Sequence, residues 1–127
     1  MALATSFVLA LLAQGAPAVV EAPETSFDVG YEELVAGRDR AAVEAIEACD
    51  ELEADDPARL INHGVALARI GQFDDARADF EAAAEADSSV ELETADGQWV
   101  DSRRLARRAL AALDRGDFAR YYAMSMR

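Results

Sequence analysis

The sequence predicts an all-α protein built as a stack of antiparallel helix pairs, with about two and a half to three such pairs. Two observations lead to this class. Small and apolar residues recur at a fixed spacing of 34 residues, and apolar residues in the best-defined repeat follow the helical period. The chain has 127 residues, of which 52% are hydrophobic, so a single domain can bury a core.

The repeat is visible in matched positions, and each position has a structural role. Gly37 and Gly71 are expected to end the first helix of each pair in a left-handed conformation. Asp56-Pro57 is expected to cap and start the next helix. A small residue at Gly30 or Gly64 would let two helices approach closely. The five pairs that are 34 residues apart are Gly30 and Gly64, Gly37 and Gly71, Ala42 and Ala76, Ile46 and Phe80, and Cys49 and Ala83.

A helical wheel of the second unit separates an apolar side from a polar side. Its first helix is expected to turn Arg59, Asn62 and Arg69 away from the apolar side, with His63 at the border. Its second helix is expected to bury Phe80. The remaining apolar positions are Leu60, Ile61, Gly64, Val65, Leu67 and Ala68 in the first helix and Ala76, Ala83 and Ala84 in the second, where Asp75, Asp79 and Glu85 face water.

After Ser88 the spacing of 34 residues is interrupted. Alternating apolar and polar residues around Asp96-Gly97 predict a short β-hairpin near residues 90–100. A third helix pair then follows, in which Gly116-Asp117-Phe118 repeats the pattern of Gly71-Gln72-Phe73. Its first helix has an apolar face of Leu105, Ala109, Leu110, Ala112 and Leu113 opposite Arg103, Arg104, Arg107 and Arg108.

The second unit resembles the tetratricopeptide repeat, and the whole chain resembles a small exported bacterial protein of that family. The residues that carry the resemblance are Leu60, Asn62, Gly64, Leu67, Gly71, Phe73, Ala76, Phe80 and Ala83. The unit from about Pro23 to Asp56 matches less fully. The resemblance implies a right-handed stack in which the first helix of each pair lines a concave groove that holds an extended peptide or a partner helix.

This resemblance assigns the partner-binding groove to named positions. An apolar groove suits an amphipathic helix or an apolar peptide. A ligand with a terminal carboxylate is not favoured, because among the groove positions only Asn62 and Arg69 could bind it. The alternative is that the C-terminal segment with Tyr122, Met124 and Met126 fills the groove. The predicted lining residues are Phe27, Tyr31, Leu34, Ile61, Val65, Ala68, Arg69, Ala106 and Leu110.

The charge distribution disfavours two classes of partner. The net charge is −13, so neither nucleic acid nor anionic lipid is expected to bind the mature domain. Residues 1–102 hold five arginines against 23 carboxylates, a net charge of −18, whereas residues 103–127 hold seven arginines against two carboxylates, a net charge of +5.

Residues with catalytic or metal-binding chemistry are few. The chain has one histidine and one cysteine, and neither a zinc spacing nor a phosphate-binding glycine loop is found. We therefore expect no cofactor, no metal and no catalytic residue. Cys49 cannot form an intramolecular disulfide and is interpreted as a small buried side chain.

The N-terminus predicts an export signal. Residues 2–20 carry no charged side chain, and Ala16-Pro17-Ala18 has the small residues that signal peptidase needs before Val19. The expected organisation is a signal peptide at 1–18, a linker at 19–25 and a helical domain at 26–127, with the protein in the periplasm or secreted. The alternative is an uncleaved membrane anchor.

These observations lead to a functional hypothesis and two alternatives. The leading hypothesis is a non-enzymatic scaffold that binds a peptide or helix of a partner protein in the apolar groove. The runner-up is a small accessory subunit or homodimer whose apolar face serves only assembly. The third is a hydrolase, which would have to use His63.

Overall fold

The computed structural model describes residues 8–9, 19–20, 30–94 and 96–127. This part of the chain is mainly helical, as the sequence predicts, and also contains two small antiparallel sheets. The helices are α1 (Tyr31–Val35), α2 (Asp39–Ala48), α3 (Pro57–Arg69), α4 (Phe73–Ala84), α5 (Ser102–Asp114) and α6 (Asp117–Ser125), and the strands are β1 (Val8–Leu9), β2 (Val19–Val20), β3 (Glu91–Glu93) and β4 (Trp99–Asp101).

The first helix pair is shorter than predicted. Helix α1 begins only after Gly30, which has a φ of 77° and therefore lies outside the helix. A Cβ at Gly30 would come within 2.8 Å of Ile46 on α2, so this position still needs a small residue. Gly37 separates the two helices with a φ of 76°, which confirms the predicted left-handed turn.

The second pair agrees most closely with the sequence. The Asp56 side chain accepts a hydrogen bond from the Arg59 amide at 3.0 Å, and Pro57 is the first residue of α3. A Cβ at Gly64 would lie 2.5 Å from the Phe80 ring, so the predicted close crossing of α3 and α4 is confirmed. Gly71, with a φ of 87°, ends the first helix of this pair.

The predicted hairpin joins the second pair to the third. Strands β3 and β4 pair antiparallel, with Leu92 opposite Val100, and both of these side chains are buried in the core. Gly97 provides the turn with a φ of 83°. Asp101 then caps α5 by accepting a hydrogen bond from the Arg104 amide at 3.1 Å, so the hairpin leads directly into the next helix.

Helix α3 lies at the centre of the domain. It contacts α2, α4, α5 and α6 as well as strand β2. The core around it is a single cluster of mainly small apolar side chains with Phe80 and Phe118. Because α3 is surrounded on several sides, Asn62 and Arg69 are buried, with 0% and 2% of their surfaces exposed. The sequence prediction that these two residues face away from the core is therefore wrong.

The predicted signal peptide and linker lie largely outside the described residues. Within the described part, Val8 pairs with Val20 and Leu9 with Val19, and strand β2 lies against α1 and α3. None of the helices in the described ranges is long and apolar enough to cross a membrane.

Candidate partner-binding surface

The residues predicted to line the groove come together, but they are covered. Phe27 lies outside the described residues. Tyr31 and Leu110 are half-buried and pack against the core cluster. The other six have at most 2% of their surface exposed, and they are Leu34, Ile61, Val65, Ala68, Arg69 and Ala106. The sequence predicted an open concave wall, and the described structure instead has a covered face.

Helix α6 covers part of this face. It contacts α3 and α5, which are the first helices of the second and third pairs. We use the term first-helix face for the predicted groove residues of these two helices, which are Ile61, Val65, Ala68, Arg69, Ala106 and Leu110. The predicted C-terminal fillers Met124 and Met126 are 61% and 70% exposed, so they do not fill the groove. The side chain of α6 that contacts a predicted groove residue is Tyr121, which lies over Arg69.

Two aromatic contacts fix α6 to the second helix pair. The Phe118 ring is fully buried and stacks on Phe80, with ring centroids 5.9 Å apart and planes 28° apart. The Tyr122 ring meets Phe73 edge to face at 6.3 Å. It also covers Gly71, where a Cβ would come within 2.9 Å of the tyrosine ring. Gly71 therefore has a second role besides ending α3.

Arg69 joins the first helix pair to α6 through a buried polar network. Its Nη1 donates to the carbonyl oxygen of Leu34 at 2.9 Å and to Asp39 Oδ1 at 3.3 Å. The Tyr121 ring lies over the guanidinium, 5.1 Å from Cζ to the ring centroid. Tyr121 Oη donates to Asp39 Oδ2 at 2.9 Å. Tyr121 and Asp39 are 82 positions apart, so this contact closes the first pair against α6.

The network leaves part of the Arg69 guanidinium without a partner. Among the described residues, Nε and Nη2 have no hydrogen-bond acceptor although both atoms are buried. A buried donor without a partner is costly and calls for a physical explanation. Burial raises the pKa of Tyr121, so its hydroxyl stays protonated and remains a donor to Asp39 at neutral pH.

The sequence contained one signal for this arrangement. Tyr121 stands where the tetratricopeptide pattern that the sequence resembles would have alanine, and a bulky side chain there predicts that the last helix packs differently from its counterpart in a regular repeat. The pairing of Tyr121 with Arg69 and Asp39 was not predicted, because it depends on how α6 packs across the stack.

His63 forms a second cluster, which links three helices. Its Nδ1 lies 2.6 Å from Asp79 Oδ2 on α4, and its Nε2 lies 3.0 Å from Glu47 Oε1 on α2. The hydrogen bond to Asp79 raises the pKa of His63, while burial opposes this shift and Glu47 adds to it. Both ring nitrogens face carboxylates, so this geometry suits a charged clamp better than a general base beside a hydroxyl or thiol.

Cys49 differs from its predicted state. The residue is half-buried, and its Sγ lies 3.5 Å from Glu51 Oε2. The expectation of a small buried side chain is therefore wrong. The physical reason is that Cys49 ends α2, in an extended conformation, beyond the part of the helix that packs on α3.

Two further surfaces carry opposite charges. An open cleft of about 620 Å³ lies between the α2–α3 loop and the end of α4, and its lining includes Glu53, Asp55 and Glu85. On α5, three arginines are exposed and make no side-chain ion pair within the described residues: Arg104, Arg107 and Arg108. Trp99, just before α5, is 53% exposed.

The described residues contain no group of three or more His, Cys, Asp or Glu side chains that could hold a metal ion. Comparison with protein-family models, with curated proteins and with solved structures finds no match to this chain.

Proposed function

We propose that this protein is a non-enzymatic scaffold, arranged like a right-handed tetratricopeptide stack, that binds a helix of a partner protein on its first-helix face. The observation that carries the proposal is the position of α6. An amphipathic helix already lies against α3 and α5, so this face has the shape and apolar character to hold a helix. Helix-in-groove recognition uses this kind of surface.

Tyr31, a predicted groove residue on α1, provides the first test of the proposal. It is a half-buried aromatic residue next to the core cluster, and aromatic anchors in desolvated sites often contribute about 2 kcal/mol or more. A partner captured from the native host should therefore bind Tyr31→Ala at least about tenfold more weakly, with the helical circular dichroism unchanged. Titration calorimetry with the purified partner would measure this.

Asp75→Ala is the matched control, because Asp75 is exposed on the outer side of α4. Exposed charges contribute little to affinity, so this variant should bind like the parent. If Asp75→Ala weakens binding and Tyr31→Ala does not, the partner binds the acidic outer surface and the proposal is wrong.

The alternative function is assembly with a second copy or as an accessory subunit. The observation that favours it is the exposed arginine face of α5 in a chain with a net charge of −13. Association through Arg104, Arg107 and Arg108 would weaken with salt, because ionic strength screens exposed charges. Light scattering of the parent and of a variant with glutamate at these three positions would distinguish assembly from partner binding. A dimer of the parent that dissociates with added salt, and that the variant does not form, would favour assembly.

We also propose that the protein is exported to the periplasm or secreted, with cleavage before Val19. The support is the uncharged N-terminal run and the Ala16-Pro17-Ala18 sequence. Mass spectrometry of the protein from its native host should find an N-terminus at or near Val19. An intact Met1 in the membrane fraction would favour the anchor, and an intact Met1 in the cytoplasm would contradict export.

A further inference from the structure

We infer that α6 is an internal occupant of the partner site, and that the partner is an amphipathic helix with aromatic side chains spaced like Phe118, Tyr121 and Tyr122. This inference rests on the proposed function and adds the chemistry of the partner. The spacing of these three residues is i, i+3 and i+4, which places them on one side of a helix. All three side chains contact other helices of the domain.

The side chains of α6 differ between its two sides: the aromatic residues on one side contact the domain, and most of the others are exposed. Its aromatic side chains contact Phe80, Arg69 and Gly71. Of the remaining residues, Asp117 at the start of the helix is buried, and the others are exposed: Ala119, Arg120, Ala123, Met124 and Ser125. The site that α6 occupies therefore includes Arg69 of the first-helix face together with Phe80 and Gly71 beside it. It accommodates a flat ring next to Phe80, a ring with a hydroxyl over Arg69, and a second ring over Gly71.

The connection to α5 allows α6 to move as a unit. The two helices are joined by a tight turn in which Gly116 has a φ of 79°. The main-chain hydrogen bonds of a helix are internal to it, so undocking breaks side-chain contacts without unpairing another element. The contacts at risk are the Phe118–Phe80 stack, the Tyr121–Asp39 hydrogen bond and the Tyr122–Phe73 contact.

Helix α6 leaves two buried donors of Arg69, Nε and Nη2, without a hydrogen bond. The Tyr121 ring covers the guanidinium but accepts no hydrogen bond from Nε or Nη2. A partner helix with an acceptor oxygen at this point would satisfy one or both donors in addition to repeating the aromatic contacts. Such a partner would gain hydrogen bonds that α6 does not make, and it could therefore compete with a helix that is already attached.

The test uses a fluorescent peptide of residues 116–127 and the full chain. The attached α6 competes with the peptide, so the apparent dissociation constant equals the intrinsic one divided by the fraction of open chains. Tyr121→Ala in the chain removes the hydrogen bond to Asp39 and the ring over Arg69, which raises that fraction. Fluorescence anisotropy should show the peptide binding this variant at least about tenfold more tightly than the parent chain.

Two further variants of the chain serve as controls for the effect of Tyr121→Ala. Tyr121→Phe in the chain retains the ring and removes only the hydroxyl, so its affinity for the peptide should lie between those of the parent and Tyr121→Ala. Met124→Ala changes an exposed residue of the same helix, so this chain should bind like the parent. Circular dichroism and thermal melting verify that each variant is folded.

A second arm changes the peptide and keeps the chain constant. The peptide with alanine in place of Tyr121 should bind the Tyr121→Ala chain at least about tenfold more weakly than the unmodified peptide. If the folded Tyr121→Ala chain binds neither peptide, or binds both equally, the inference is wrong. If the parent chain dimerises and the free peptide dissociates the dimer, the occupant is a second copy and a separate partner is excluded.

Failure of this inference can be distinguished from failure of the proposed function. A captured partner that loses affinity with Tyr31→Ala would support the first-helix face even if the peptide fails to bind. In that case α6 would be a fixed part of the fold, and the partner would approach beside it.

Discussion

At the scale of single residues, His63 is held by two carboxylates, one at each ring nitrogen. It lies between Asp79 and Glu47 and connects α2, α3 and α4. With both carboxylates ionised, the doubly protonated ring can donate to each of them, whereas the neutral ring can donate to only one. The fold therefore favours the charged form, which is the reason that the pKa of His63 is raised above 6.5.

This raised pKa predicts a pH dependence of stability. The contribution of His63 is complete below its unfolded value of 6.5, and it is lost as the pH rises through the higher folded value. The urea midpoint of the parent should therefore fall as the pH rises from about 6 through the folded pKa of His63. His63→Gln should lose most of this slope. An equal slope in both proteins would show that His63 is not the group that titrates.

Gly64 gives a second prediction for a single residue. A Cβ at this position would lie 2.5 Å from the Phe80 ring, so Gly64→Ala should force α3 and α4 apart and cost about 1 to 3 kcal/mol. Thermal denaturation would measure the loss. Ala78→Leu, on the exposed side of α4, is the control and should melt near the parent. An unchanged melting temperature for Gly64→Ala would contradict the close crossing.

The sequence could predict the residues whose roles are local. Gly71 and Asp56 act on the backbone within a few positions, so turn and capping rules are sufficient to find them. Asn62 and Arg69 could not be placed in this way. A helical wheel assumes one buried side, whereas α3 is contacted by four other helices, and the burial of these residues depends on that packing.

At the scale of elements, the cap of α3 can be tested directly. Asp56 accepts a hydrogen bond from the Arg59 amide at 3.0 Å, so Asp56→Ala should destabilise the protein by about 0.5 to 2 kcal/mol. The neighbouring Asp55 is exposed, and Asp55→Ala is the control with the same change of charge. Chemical denaturation should separate the two variants, and equal losses would mean that net charge and not capping determines the effect.

The elements also differ in how well the sequence predicts their packing. The hairpin around Gly97 depends on neighbouring residues and is confirmed. The position of α6 depends on contacts with Asp39 and Arg69, which are far away in the chain. The helix itself was predicted, but its place on the first-helix face required the three-dimensional structure.

At the scale of the whole molecule, the net charge of −13 predicts a salt effect. Repulsion among the carboxylates opposes the compact state, and added salt screens it. The melting temperature should therefore rise when sodium chloride is increased from about 0.01 M to about 0.3 M, over which the Debye length falls from about 30 Å to below 10 Å. A fall over this range would mean that attractive ion pairs such as Arg77–Asp114 outweigh the repulsion.

The central claim for the whole molecule is that the first-helix face can be uncovered while the rest of the domain stays folded. Hydrogen–deuterium exchange of the full chain tests this most directly, because it measures the opening of each helix separately. The amides of α6 should exchange at least about tenfold faster than those of α3 and α5, and Tyr121→Ala should accelerate α6 alone. If α6 exchanges together with α3, and Tyr121→Ala accelerates all three helices equally, α6 is part of the permanent core and the face is never free for a partner.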